Sequence, residues 1–157
     1  MNPVEKDKIC TYLENKFQLE PEQAQIAANY CQGNIGKAIR FASSSDFIEM
    51  KNQVLKLLKN LDSMDIASII DTIKEFSTHK NDINDYLDLM LLWYRDVLMF
   101  KVTKDANLLL YSDEYSAISE QATKRDYENI ENIIADIDKA KVRLKANVNF
   151  DVTIELM

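Results

Sequence analysis

Apolar residues recur at spacings of three and four along most of the chain, the signature of helices with one buried face. Asn2-Pro3 reads as a helix opening, an N-cap residue followed by proline in the first turn, and Ile9, Tyr12, Leu13 and Phe17 form the stripe that follows. Leu19-Glu20-Pro21 restarts the chain before a short helix with Ile26, Ala27, Tyr30 and Cys31. Gly33-Asn34-Ile35-Gly36 turns into a third short helix carrying Ala38, Ile39 and Ala42. Ser43-Ser44-Ser45 reads as a boundary, because the helices lengthen beyond it.

From Asp46, residues Phe47, Met50, Val54, Leu57, Leu58 and Leu61 keep the same period. Asp62-Ser63 offers a cap for a cleaner stripe of Ile66, Ile69, Ile70, Ile73 and Phe76. The stretch from Ile83 to Val102 is different, being apolar nearly all round, so it predicts a central core helix. Asp85, Asp88, Arg95, Asp96 and Lys101 break it up too often for the roughly 18 uninterrupted apolar residues of a membrane span. A connector over Asp105 to Leu110 leads to a short helix with Tyr115, Ile118 and Ala122. A long amphipathic helix follows, with Tyr127, Ile130, Ile133, Ile134, Ile137, Ala140, Lys141 and Leu144 on one side. In the tail, Val148, Phe150, Val152, Ile154 and Leu156 alternate with polar residues, a strand pattern with no partner strand in sight. The pattern alone leaves that tail undecided.

Composition supports an all-α fold. Only two glycines and two prolines occur in 157 residues, too few for the turns of a many-stranded β protein, and 46% hydrophobic residues can fill a core. Nineteen basic against twenty-six acidic side chains give a net charge of −7, and the basic residues form no cluster beyond short mixed runs such as Lys139 to Lys145. Tight binding to nucleic acid wants a basic face to neutralise phosphates, so the chain alone is not expected to grip DNA. Cys10 and Cys31 lack metal-ligand spacing and read as free thiols, a disulfide between them being an option only in an oxidising compartment. His79, the sole histidine, sits in a polar turn without a companion ligand.

Chemistry-bearing motifs are missing. The chain has no metalloprotease, nucleophile-elbow or P-loop signature, so no catalytic, cofactor-binding or metal-binding residues are assigned. Asp82 with Asp85, Asp85 with Asp88, and Glu128 with Glu131 have helical spacing and read as solvated acidic faces. The two glycines at 33 and 36 are explained by a helix C-cap and a tight turn as well as by a phosphate loop. Trp93-Tyr94-Arg95-Asp96 sets a charged pair among apolar neighbours, either an ion pair at the margin of the core or a contact to another subunit.

At those residues the chain resembles a known family. Leu92-Trp93-Tyr94-Arg95-Asp96-Val97-Leu98, together with the run Ala140 to Phe150 and the ending Ile154-Glu155-Leu156-Met157, is similar to the C-terminal region of the delta-prime subunits of bacterial DNA polymerase III, members of the clamp-loader family. The first 45 residues resemble the three-helix lid of clamp-loader subunits, with Gly33-Asn34-Ile35-Gly36-Lys37-Ala38 at its third helix. The family's N-terminal nucleotide-binding-type domain has no counterpart, so Met1 reads as the start of a fragment. Gly36 stands where the related gamma/tau motor subunits carry a sensor arginine, with Lys37 beside it. Glycine cannot reach a phosphate, which favours the non-hydrolysing delta-prime type.

The resemblance implies a lid over residues 1–45 and a helical collar over 46–157, helical through the tail. It implies a non-catalytic, cytoplasmic scaffold of a DNA-directed DNA polymerase holoenzyme. Its partners would be the gamma/tau and delta subunits, with DNA met only through the assembled complex and no membrane. The expected partner surface comprises Trp93, Tyr94, Arg95, Asp96, Asn147, Asn149 and Phe150, since arginine and aromatic residues concentrate at interface centres. The competing expectation is internal, with Arg95 paired to a neighbouring carboxylate and the asparagines capping or bridging helices. The corresponding region of a gamma/tau subunit and an unrelated helical adaptor are the alternative functions.

Overall fold

A computed structural model describes residues 5–43, 45–77 and 83–145, and within them every regular element is helical. The expected opening at Asn2-Pro3, the turn around His79 and the tail with Asn147, Asn149 and Phe150 lie outside the described residues. So do Ser44 and the side chains of Phe47, Ile73 and Phe76.

The first two helices are short because left-handed residues stop them. Helix α1 (Lys6–Phe17) ends on Gln18 at φ 54° and α2 (Pro21–Cys31) on Gln32 at φ 48°. Gly33 takes the next left-handed position at φ 86°, where a side chain would be strained. Asn34 then caps α3 (Ile35–Ala42), its side-chain oxygen accepting from the Lys37 amide at 3.0 Å. The three helices pack on one another through Ile9, Leu13, Ala24, Ala27, Ala28 and Ala38, all buried, and the small residues let the axes approach closely. Cys10 and Cys31 are both free.

Helix α4 (Ser45–Asn60) continues almost directly from α3, and a 3-10 turn, Leu61–Ser63, follows it. The cap of α5 (Ile66–Ser77) is Asp65, which accepts from the Ser68 amide at 2.7 Å, and not the expected Asp62-Ser63. Asp62 is engaged elsewhere, by Arg125 at 2.7 Å. The stripe of α5 is also less buried than its periodicity predicts: Ile66 is 76% exposed and Ile69 and Ile70 are half-buried.

Helix α6 (Ile83–Thr103) is the core helix the pattern predicts, with Leu87, Leu89, Trp93 and Val97 almost wholly out of water. Burial of each such side chain is worth roughly 1.5–3 kcal/mol relative to exposure. It ends at Lys104, left-handed at φ 56°, and a 3-10 turn (Ala106–Leu108) capped by Asp105 redirects the chain. A second such turn (Ser112–Glu114) leads into α7 (Tyr115–Lys124). Helix α8 (Tyr127–Lys145) runs antiparallel to α6, since Lys101 lies over the Tyr127 ring and Lys141 reaches Asp88. The core is continuous from Ile9 to Ala140, so the three short helices and the longer ones share it.

Candidate functional site

The charged positions of α6 are where this fold departs from an ordinary helical core, and its two halves treat them differently. In the first half Asp85 and Asp88, one turn apart, are only 7% and 8% exposed. This overturns the reading of that pair as a solvated face; Glu128 and Glu131 on α8 are exposed as expected. An unpaired buried carboxylate is costly, so both acids must be compensated, and the compensation comes from three other helices. Lys37 of α3 lies 3.3 Å from Asp88 and 4.0 Å from Asp85, Arg40 of α3 lies 3.6 Å from Asp85, and Lys141 of α8 pairs with Asp88. From α2, the Tyr30 hydroxyl donates to Asp85. The Tyr30 ring also stacks edge-on against Phe41, at 4.1 Å between centroids, and carries the Lys37 ammonium 4.1 Å from its own centroid. Six side chains from four helices therefore meet on one side of α6.

The two carboxylates are not equivalent. Burial, reinforced by the negative charge of Asp88, pushes the Asp85 carboxyl up to about 6. Near Lys37 and Arg40 the Cys31 thiol is pushed up to about 12 by burial, so it stays neutral and unreactive. A further tie joins α2 to the 3-10 turn at Ser112–Glu114: Ser112 donates to Glu22 at 2.6 Å and holds that carboxyl below its usual range.

In the second half the run 93–96 splits. Trp93, Tyr94 and Asp96 face inward and Arg95 faces solvent. The Trp93 indole donates to Gln121 Oε1 at 3.1 Å, and Gln121 Nε2 donates to the Leu58 carbonyl at 2.9 Å, tying α6, α7 and α4 through one buried amide. Asp96 accepts from the backbone amides of Leu110 and Tyr111 at 3.1 and 2.8 Å, which pins the chain leaving α6. Burial raises its carboxyl, and those two amides oppose the rise. Burial likewise raises the Tyr94 phenol. Among the described residues Arg95 makes no ion pair, so it does not pair with Asp96. With half-buried Leu98 and exposed Met99 and Val102 it lies on a single helical stripe open to water.

Tyr30, Lys37, Arg40, Asp85, Asp88 and Lys141 were missed as a group by sequence reasoning. The available signal was that a helix without a polar face cannot leave Asp85 and Asp88 in water. A second was that Lys141 sits on the apolar stripe of α8. Among the described residues, no group of three His, Cys, Asp or Glu side chains could hold a metal ion, and no helix is long and apolar enough to cross a membrane.

The chain is similar to DNA polymerase III subunit delta' of Bacillus subtilis (strain 168), with 29% identity over 140 residues. The match covers 87% of this chain and 42% of the relative, so the chain spans about two fifths of that protein's length. No protein-family model matches the sequence, and no solved structure matches it.

Proposed function

We propose that the chain is a lid-and-collar region of a clamp-loader subunit of the delta-prime type, acting as a scaffold in DNA replication rather than as a catalyst. The observation that carries this reading is the similarity to the Bacillus subtilis delta' subunit along 87% of the chain. The all-helical fold and the net charge of −7 support it, because a scaffold needs helical faces and no grip of its own on phosphates. The lid is α1 to α3 and the collar α4 to α8, divided at residues 43–45. The partners are gamma/tau and delta subunits, DNA is met through the assembly, and the setting is cytoplasmic.

The partner surface is centred on Arg95. It is unpaired among the described residues and flanked on its stripe by Met99 and Val102, which a helix from another subunit could cover. Trp93, Tyr94 and Asp96 serve that surface from behind, by fixing the helix that presents it. Asn147, Asn149 and Phe150 are proposed to extend it.

Capture from cell extract on the tagged chain, followed by mass spectrometry, tests the assignment. Retention of gamma/tau and delta subunits is expected. Their absence, in extract where they are detected before capture, overturns it.

A further inference from the structure

We propose that the apolar face of α5 is the docking site for residues 152–156 of the same chain, which return to it from the end of α8. Helix α5 carries its apolar residues on one stripe, Ile66, Ile69, Ile70, Ile73 and Phe76, yet none of its described side chains is buried. Ile66 is 76% exposed, and Ile69 and Ile70 stand outside the continuous core, whereas Leu61 and Met64 just before the helix pack against it. Among the described residues, no other helix packs extensively on α5. A helix of 12 residues is marginal by itself in water and takes most of its stability from packing of its apolar face. The stripe therefore calls for a cover.

The topology brings residues 152–156 to that stripe. Asp62, ahead of α5, and Arg125, ahead of α8, are held together at 2.7 Å, so the two helices start side by side. Both then run toward the beginning of α6. Helix α8 arrives there because Lys141, near its end, pairs with Asp88. Helix α5 arrives there because the chain from Ser77 to Ile83 spans at most about 21 Å. The chain beyond Lys145 therefore leaves α8 at the end of α6 where α5 also finishes. Residues 146–151 form a tether of up to about 20 Å, the scale of the gap between the two helix ends. Val152, Ile154 and Leu156 then meet the stripe, with Thr153 and Glu155 left for solvent. Their run spans up to about 13 Å. Ile66 to Ile73 covers about 11 Å along the helix axis, so segment and stripe match in length as well as in apolar character.

A second copy or another subunit could also cover three isoleucines, but tethering favours the segment of the same chain. A short tether holds its end at an effective concentration of roughly millimolar, above that of a dilute partner. Docking within the chain also withdraws the isoleucines from contact between copies. Asn147, Asn149 and Phe150 precede the docking segment and stay with the tether, so the inference does not depend on what the chain assembles with.

NMR of the whole chain in dilute solution reads the docking directly. Nuclear Overhauser contacts should join the methyls of Val152, Ile154 or Leu156 to those of Ile66, Ile69 or Ile70. Their absence overturns the proposal. So do contacts that appear only between differently labelled molecules, which would put a second copy on α5. Hydrogen exchange checks the consequence: in the double variant V152D/I154D the α5 amides should exchange roughly tenfold faster while those of α6 keep their protection. Unchanged exchange in α5 overturns the proposal. If the variant does not fold, the methyl contacts in the unaltered chain decide.

Discussion

The two halves of α6 solve the same problem in opposite ways. Each half interrupts an apolar helix with charge. In the first, Asp85 and Asp88 are covered by cations that α3 and α8 supply, and the acids become the fastening between the three short helices and the rest. In the second, Asp96 is satisfied by two backbone amides and Arg95 is left to water. A charge inside a core helix is therefore not one kind of feature. What decides its role is whether a compensating group arrives from another element, from the backbone or not at all.

The sharpest way to break this contrast is to remove Asp88. D88A takes the close counter-charge from Lys37 and Lys141, leaving Lys37 only the more distant Asp85 at 4.0 Å, and the two lysine side chains are only 27% and 21% exposed. The cost should be about 3 kcal/mol, the lower end for a broken buried pair because both ammoniums keep some water. Thermal melting should show a Tm lower by roughly 6–12 °C. A loss under 2 °C would mean that the cluster is not a fastening.

The second test concerns the outer half. Q121A removes the amide that serves both the Trp93 indole and the Leu58 carbonyl, leaving two buried groups unsatisfied. Urea denaturation should report a loss of about 2–3 kcal/mol. Near-neutral behaviour would show that water enters and replaces the amide.

D85N should have a smaller effect. At pH 7.5 it gives up the Lys37 and Arg40 contacts at 4.0 and 3.6 Å but also relieves the burial and Asp88 repulsion that push the Asp85 carboxyl up, so stability should change by no more than about 1 kcal/mol. The change should shrink at pH 4, where Asp85 is itself protonated. Melting curves at the two pH values check this, and a loss at pH 7.5 as large as that of D88A would erase the distinction between the two acids.

The central helix was legible because a segment apolar on every side has only one place in a small helical protein. Helix starts were legible where the chemistry was local, as at Pro21 and Asn34. Long-range competition defeated the rest. Asp62 resembled a cap, yet Arg125 claims it and Asp65 does the capping. Asp85 and Asp88 looked like an acidic face because their cations lie on α3 and α8, dozens of residues away, where periodicity on one helix carries no information. Ile66 has the spacing of a core residue and is 76% exposed, since periodicity marks a face without saying what covers it. Within the run 93–96, sequence order placed four residues together that helical geometry divides between inside and outside.

The central claim is that Asp85 and Asp88 in the first half of α6 fasten the fold together, while the solvent-facing stripe around Arg95 in the second half is proposed to serve assembly. The direct measurement compares R95A with the unaltered chain for capture of gamma/tau and delta subunits, with melting recorded on the same preparations. Capture should fall severalfold while stability stays within about 0.5 kcal/mol, as for an exposed side chain without a partner in its own chain. An R95A chain that melts early and still captures those subunits normally would contradict the claim.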